Sequence, residues 1–131
     1  MKKQGLLHGR LSQITAELGH GDTLCIGDAG LPIPPDVERI DLAVSPNVPG
    51  FLPVLEAISS ELAVEGFFLA EETHQQSPQM WEDILKVLGR DGLELTDHES
   101  LKAASRRCRA VVRTGECTPY ANVILRAGVT F

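Results

Sequence analysis

The chain reads as an α/β protein, a layered sheet, largely parallel, with helices packed on its faces. Three observations predict this. Short apolar runs suited to buried strands alternate with segments whose apolar residues recur at helical spacing. Glycines, prolines and polar turn residues punctuate the changes. The alternation runs through most of the 131 residues, the order expected of helices crossing between strands. No internal repeat, low-complexity tract or long linker divides the chain, so a single domain over residues 1–131 is expected.

Leu7, Leu11, Ile14 and Leu18 form one apolar stripe on a first helix, which Gly19 is expected to end in the left-handed conformation. The run from Thr23 to Asp28 is too short for a helix and is flanked by glycines, which predicts a buried strand ending at Asp28. Residues 29–35 carry three prolines and a glycine and form a loop. Ile40 to Val44 is a second strand, closed by Pro46 and Pro49, which have no N–H for a ladder. Phe51, Leu55, Ile58 and Leu62 repeat the helical stripe, with Pro53 tolerated in the first turn.

Phe67 to Ala70 is another buried strand, and the polar stretch around His74 that follows it faces solvent. Ser77-Pro78 is a cap followed by proline at the first helical position. Met80, Trp81, Ile84, Leu85 and Leu88 supply that helix's buried face, and Gly89 or Gly92 ends it. Leu93 to Thr96 is short enough for an edge strand, and Thr96-x-x-Glu99 is a capping-box pattern for a helix to about Arg106. Residues 110–113 and 121–126 are the last strands, separated by turn chemistry at residues 114–119.

Composition narrows the function classes. Twelve Lys+Arg against 18 Asp+Glu leave a formal charge of −6, which disfavours binding to a nucleic-acid phosphate backbone. No apolar run approaches the roughly 20 residues of a membrane span. The N-terminal lysines are followed at once by His8 and Arg10, so no secretory signal is expected. Cys25, Cys108 and Cys117 are an odd count without C-x-x-C spacing, which suits free thiols in the cytoplasm. Dinucleotide, P-loop, serine-hydrolase and zinc-protease motifs are missing. Histidines at 8, 20, 74 and 98 show no ligand spacing, so no metal is expected.

Asp28, at the carboxyl end of a predicted strand, stands where open α/β sheets bind ligands, and it also suits a turn cap. His20 lies in a glycine-flanked turn where packing does not demand a ring; it is either used or simply solvated. Imidazole titrates near neutrality, so it can give and retake a proton within one turnover. His98 falls in the first turn of a predicted helix. Tyr120 and Asn122 emerge together after a proline turn, and a phenol and an amide can both bind hydroxyls.

Three segments then combine: Glu17-Leu-Gly-His-Gly-Asp22, Ile26-Gly-Asp-Ala-Gly-Leu-Pro32 and Arg113-Thr-Gly-Glu-Cys-Thr-Pro-Tyr-Ala-Asn122. With the Lys-Lys-x-Gly-Leu start and the Ala-Gly-Val-x-Phe end, the whole chain resembles the D-ribose pyranase (RbsD) family. The related fucose mutarotases share the Gly-His-Gly-Asp turn, but the other two segments look more like the ribose branch. No motif of residues 64–95 takes part in the resemblance.

The resemblance implies the RbsD-like fold and cytoplasmic interconversion of the pyranose and furanose rings of ribose, without cofactor or metal. It implies His20 as proton donor and Asp28, His98, Tyr120, Ala121 and Asn122 as sugar-binding positions. It further implies a homo-oligomer, a decamer of two pentameric rings with sites near subunit boundaries, and no nucleic-acid or membrane partner. Chemically, ring opening needs a proton delivered to the ring oxygen and another removed from the anomeric hydroxyl. The alternatives are a fucose-type mutarotase and a module that binds sugar without transforming it.

Overall fold

The computed structural model describes residues 1–131. Helix α1 spans Gly9–Glu17, with His8 as its N-cap: His8 Nδ1 accepts from the Leu11 N–H at 3.2 Å. Because the helix starts after Leu7, that residue drops out of the predicted stripe and stays exposed, while Leu11 and Ile14 are buried. The helix does not end on a left-handed Gly19. Leu18 is already extended, and it is Gly21 that takes the positive φ, of 85°.

Strand β1 is Thr23–Gly27, one residue short of Asp28. Strand β2 is Glu38–Asp41, earlier than the predicted 40–44, because only those residues pair with the strand at 110–113. Helix α2 covers Phe51–Ser59 with Pro53 in its first turn, and strand β3 covers Val64–Ala70. The polar run after β3, expected to be a solvated stretch, is a short helix, α3 at Glu71–Gln76, whose Thr73 is fully buried.

Helix α4, Pro78–Leu88, begins and ends as predicted, with Gly89 at φ 78° beyond it; Ser77 makes no side-chain cap and sends its hydroxyl elsewhere. Strand β4 is Leu93–Thr96 and helix α5 is His98–Ser105. The cap of α5 is Asp97, not Thr96, because Thr96 is still paired with Ala70 in the sheet. Asp97 Oδ1 accepts from the Ser100 N–H at 2.8 Å, and Glu99 pairs instead with Lys102. Strands β5, Ala110–Arg113, and β6, Val123–Ala127, complete the set.

The six strands form one sheet in the order β2-β5-β1-β6-β3-β4, so β4 is an edge as predicted. Five strands share one direction; β6 alone runs against them, antiparallel to both β1 and β3. Helices α1, α2 and α4 cover one face over Leu24, Ile26, Phe67, Leu69, Val112, Val123 and Leu125. Helix α5 covers part of the other over Cys25, Val111 and Ile124. Successive residues of β1, β5 and β6 alternate between the two clusters, as the period of a strand requires. Burial on both faces explains why these strands read as unbroken apolar runs.

Leu125 is fully buried at the centre of β6. Leu125→Ala is expected to cost about 2–5 kcal/mol in urea denaturation, the range for a leucine truncated in a packed core. A loss below about 0.5 kcal/mol, the scale of surface changes, would contradict the placement of Leu125 in a close-packed centre.

Candidate active site

Parallel strands end together, so the residues that follow β1, β3, β4 and β5 gather along one edge of the sheet. Strand β6 begins at that edge because it is reversed. Asp28 after β1, Glu72 after β3, His98 after β4 and Tyr120 to Asn122 before β6 are thereby brought to that one edge.

Asp28 and Asn122 are clasped by two hydrogen bonds. The Asp28 N–H donates to Asn122 Oδ1 at 2.9 Å, and Asn122 Nδ2 donates to Asp28 Oδ2 at 3.0 Å. The Gly30 N–H donates to the other carboxylate oxygen at 2.9 Å. Gly27 leaves room for the clasp: a Cβ there would lie 3.0 Å from Asn122 Oδ1 and 2.5 Å from Leu31 Cδ2. Burial pushes the Asp28 carboxyl above its ordinary value of 3.8, against the opposite pull of the Gly30 N–H, the Asn122 amide and the nearby His98.

Tyr120 has a φ of 61°, uncommon for a residue with a side chain, and a cluster of hydrogen bonds holds it there. Thr73 Oγ1 donates to the Tyr120 carbonyl at 2.8 Å and Ser77 Oγ to the Pro119 carbonyl at 2.7 Å. The His98 ring meets Tyr120 edge-on, with centroids 4.9 Å apart at 85°. The His98 backbone N–H donates to Glu72 Oε2 at 2.7 Å. His98 Nδ1 is buried and has no hydrogen-bond partner in the chain. Ala121 is fully buried and belongs to the main core cluster.

Five of the six residues named from the sequence therefore come together: Asp28, His98, Tyr120, Ala121 and Asn122. His20 does not join them within one chain. Its turn precedes β1 whereas Asp28 follows it, so the two stand at opposite ends of a five-residue strand, about 17 Å long at the usual rise. There the exposed His20 ring contacts Glu65, with Nε2 to Oε2 at 2.7 Å. A cavity of about 340 Å³ between α5 and the sheet, lined by Phe68, Leu101, Ile124 and Arg126 among others, includes none of the six.

Sequence reasoning missed Glu65, Glu72, Thr73 and Ser77, which hydrogen-bond to the candidate residues or to the backbone beside them. The available signal was the position of Glu72 and Thr73 directly after an apolar strand run. No three His, Cys, Asp or Glu side chains converge as a metal site would need, and no helix is long and apolar enough to cross a membrane.

Comparison with known proteins places this geometry. The RbsD / FucU transport protein family matches residues 1–130. The D-ribose pyranase of Symbiobacterium thermophilum is 54% identical over 131 residues, all of both chains. The structure of Bacillus subtilis RbsD complexed with D-ribose superposes with a TM-score of 0.95 at 40% identity, covering 100% of each chain. The fucose mutarotase of Streptococcus pneumoniae in complex with L-fucose, at 23% identity and a TM-score of 0.82 over 100% of each chain, shares the fold.

The raised Asp28 carboxyl makes a signed prediction. Its contribution to stability is fully present below about 3.8 and is lost as pH rises through the higher folded value, because the native state holds that proton more tightly. The stability of the protein relative to Asp28→Ala, followed by urea denaturation from below 3.8 to neutrality, should therefore fall with rising pH. A difference that grows with pH would mean that the carboxylate is stabilised in place, contrary to its burial.

Proposed function

Because the chain belongs to the RbsD / FucU transport protein family, we infer that it is a D-ribose pyranase, an isomerase that interconverts the pyranose and furanose forms of ribose. The observation that carries the reading is the Asp28–Asn122 clasp set beside the His98–Tyr120 ring pair. A carboxylate, an amide, an imidazole and a phenol in one crevice are the donors and acceptors that hold a polyol. Asp28, His98, Tyr120, Ala121 and Asn122 bind the sugar in this reading, and His20 transfers the proton. Acid–base help of this kind contributes roughly 10²–10⁴-fold, which suits a reaction that already proceeds slowly in water.

The separation of His20 from Asp28 gives the assembly a task. One subunit presents the His20 end of β1 and its neighbour presents the Asp28 crevice, so each site is completed across a subunit boundary. Contact between two different patches is heterologous, and such contacts close into rings when the rotation permits. A decamer of two pentameric rings, working in the cytoplasm on free ribose, fits this arrangement. The acidic surface, with a formal charge of −6, suits neither nucleic acid nor an anionic membrane as a partner.

Magnetisation-transfer NMR on ribose measures the exchange between ring forms directly. His20→Ala is expected to reduce it to the rate of ribose alone while the variant still assembles and binds the sugar. Asn122→Ala should also lose exchange, through loss of sugar binding. Mixing the two inactive variants under conditions of subunit exchange should restore activity, since some boundaries then pair an intact His20 with an intact Asn122. Binding of ribose without added exchange by the unaltered protein would instead identify a sugar-binding module. Failure of the mixture to recover would place the whole site within one chain.

A further inference from the structure

The turn that carries His20 fixes its own backbone: the Gly19 N–H donates to Asp22 Oδ2 at 2.9 Å, and the Gly21 N–H donates to the Ala127 carbonyl at 2.8 Å. The ring itself is held at one point only, the bond between Nε2 and Glu65. Its side chain is 61% exposed, so without that bond nothing in the chain would select among its rotamers.

Glu65 is aimed at the ring by the sheet. The register of β3 against β6 shifts between Val64 and Gly66, which leaves Glu65 as the extra residue of a bulge, a device that redirects one side chain out of the ladder. Glycines on both sides make room. A Cβ on Gly128 would lie 2.9 Å from the Glu65 Cβ, and one on Gly66 would lie 2.5 Å from an Arg126 terminal nitrogen. Arg126 Nε donates to Glu65 Oε1 at 3.1 Å, and its two other nitrogens fork onto Glu94 at 3.1 and 3.2 Å. The guanidinium lies 5.6 Å from the centre of the Phe68 ring. One carboxylate oxygen of Glu65 is thus anchored and the other is offered to His20.

We propose that Glu65 is a positioning residue for ring opening, whose carboxylate holds His20 as the tautomer with the proton on Nε2 and leaves Nδ1 to act on the sugar. The proposal rests on the reading of His20 as the proton-transfer group. A carboxylate can only accept, so the nitrogen facing it carries hydrogen and the other nitrogen has a free lone pair. Nδ1 takes the proton of the anomeric hydroxyl, the bond from C1 to the ring oxygen breaks as the C1 carbonyl forms, and the ring oxygen takes the proton back from Nδ1. The electron pair of the broken bond stays on that oxygen and nothing is oxidised or reduced. Between the two transfers the imidazolium lies against the Glu65 carboxylate, which balances the transient charge. Reclosure repeats the steps in reverse through a different hydroxyl.

The test uses the full chain and D-ribose. Glu65→Gln is expected to lower kcat about tenfold, part of the roughly 10²–10⁴-fold that acid–base groups supply, with KM unchanged because Glu65 does not touch the sugar. Long-range proton–nitrogen NMR of the imidazole should show one neutral tautomer in the unaltered protein and a mixture in Glu65→Gln. Glu65→Asp, which keeps the charge at shorter reach, should fall between them and serves if glutamine disturbs the sheet. Unchanged kcat, or the same single tautomer in the variants, overturns the assignment of Glu65. Loss of exchange in His20→Ala alongside full activity in Glu65→Gln overturns this proposal alone, whereas full exchange in His20→Ala overturns both it and the reading beneath it.

Discussion

The two hydrogen bonds between Asp28 and Asn122 join segments that lie 94 positions apart in the chain. They can form because β6 enters the sheet backwards. Had β6 run with its neighbours, its first residues would start at the amino edge, and the Tyr120 to Asn122 segment would face away from the ends of β1 and β4. The reversal places β6 antiparallel between two parallel halves and delivers that segment to the edge where the other strands finish. The direction of one strand therefore decides the composition of the crevice.

The crevice is supported by a helix of six residues. From α3 and the residue after it, Glu72 accepts the His98 N–H, while Thr73 and Ser77 hold the carbonyls of Tyr120 and Pro119. These side chains fix the backbone around an uncommon φ at Tyr120, which lets the phenol meet the imidazole edge-on. The arrangement of the candidate residues thus depends on side chains packed around them. Its counterpart at the other end of β1 follows the same logic, with a bulge and two spacing glycines orienting one carboxylate toward an otherwise loose ring.

Much of the architecture was legible in the residues. The apolar runs that became β1, β3, β5 and β6 were visible because sheets covered on both faces need no polar alternation. Pro78 at the first helical position and the breaker Gly89 located the ends of α4, and the short run at 93–96 was recognisable as an edge. The misses have physical causes. Gly19 looked like a helix stop, but the chain turned at Gly21, whose N–H was taken by Ala127 from a strand a hundred residues later. Thr96 looked like a cap, but it was already paired with β3. Helix α3 has almost no apolar periodicity, since what it buries is the Thr73 hydroxyl on a backbone carbonyl.

By itself the sequence determined which side chains stand as candidates for the chemistry: a histidine in a glycine turn, an aspartate at a strand end, and a tyrosine and asparagine after a proline turn. These are local facts, set by turn preferences and by the side chains' own donors and acceptors. Only the tertiary structure decided their company, drawing Asp28 to Asn122 and His98 to Tyr120 while sending His20 to the far end of β1 beside Glu65. Strand direction and order set those neighbours. Both depend on contacts between segments distant in the chain, which no local pattern of residues encodes.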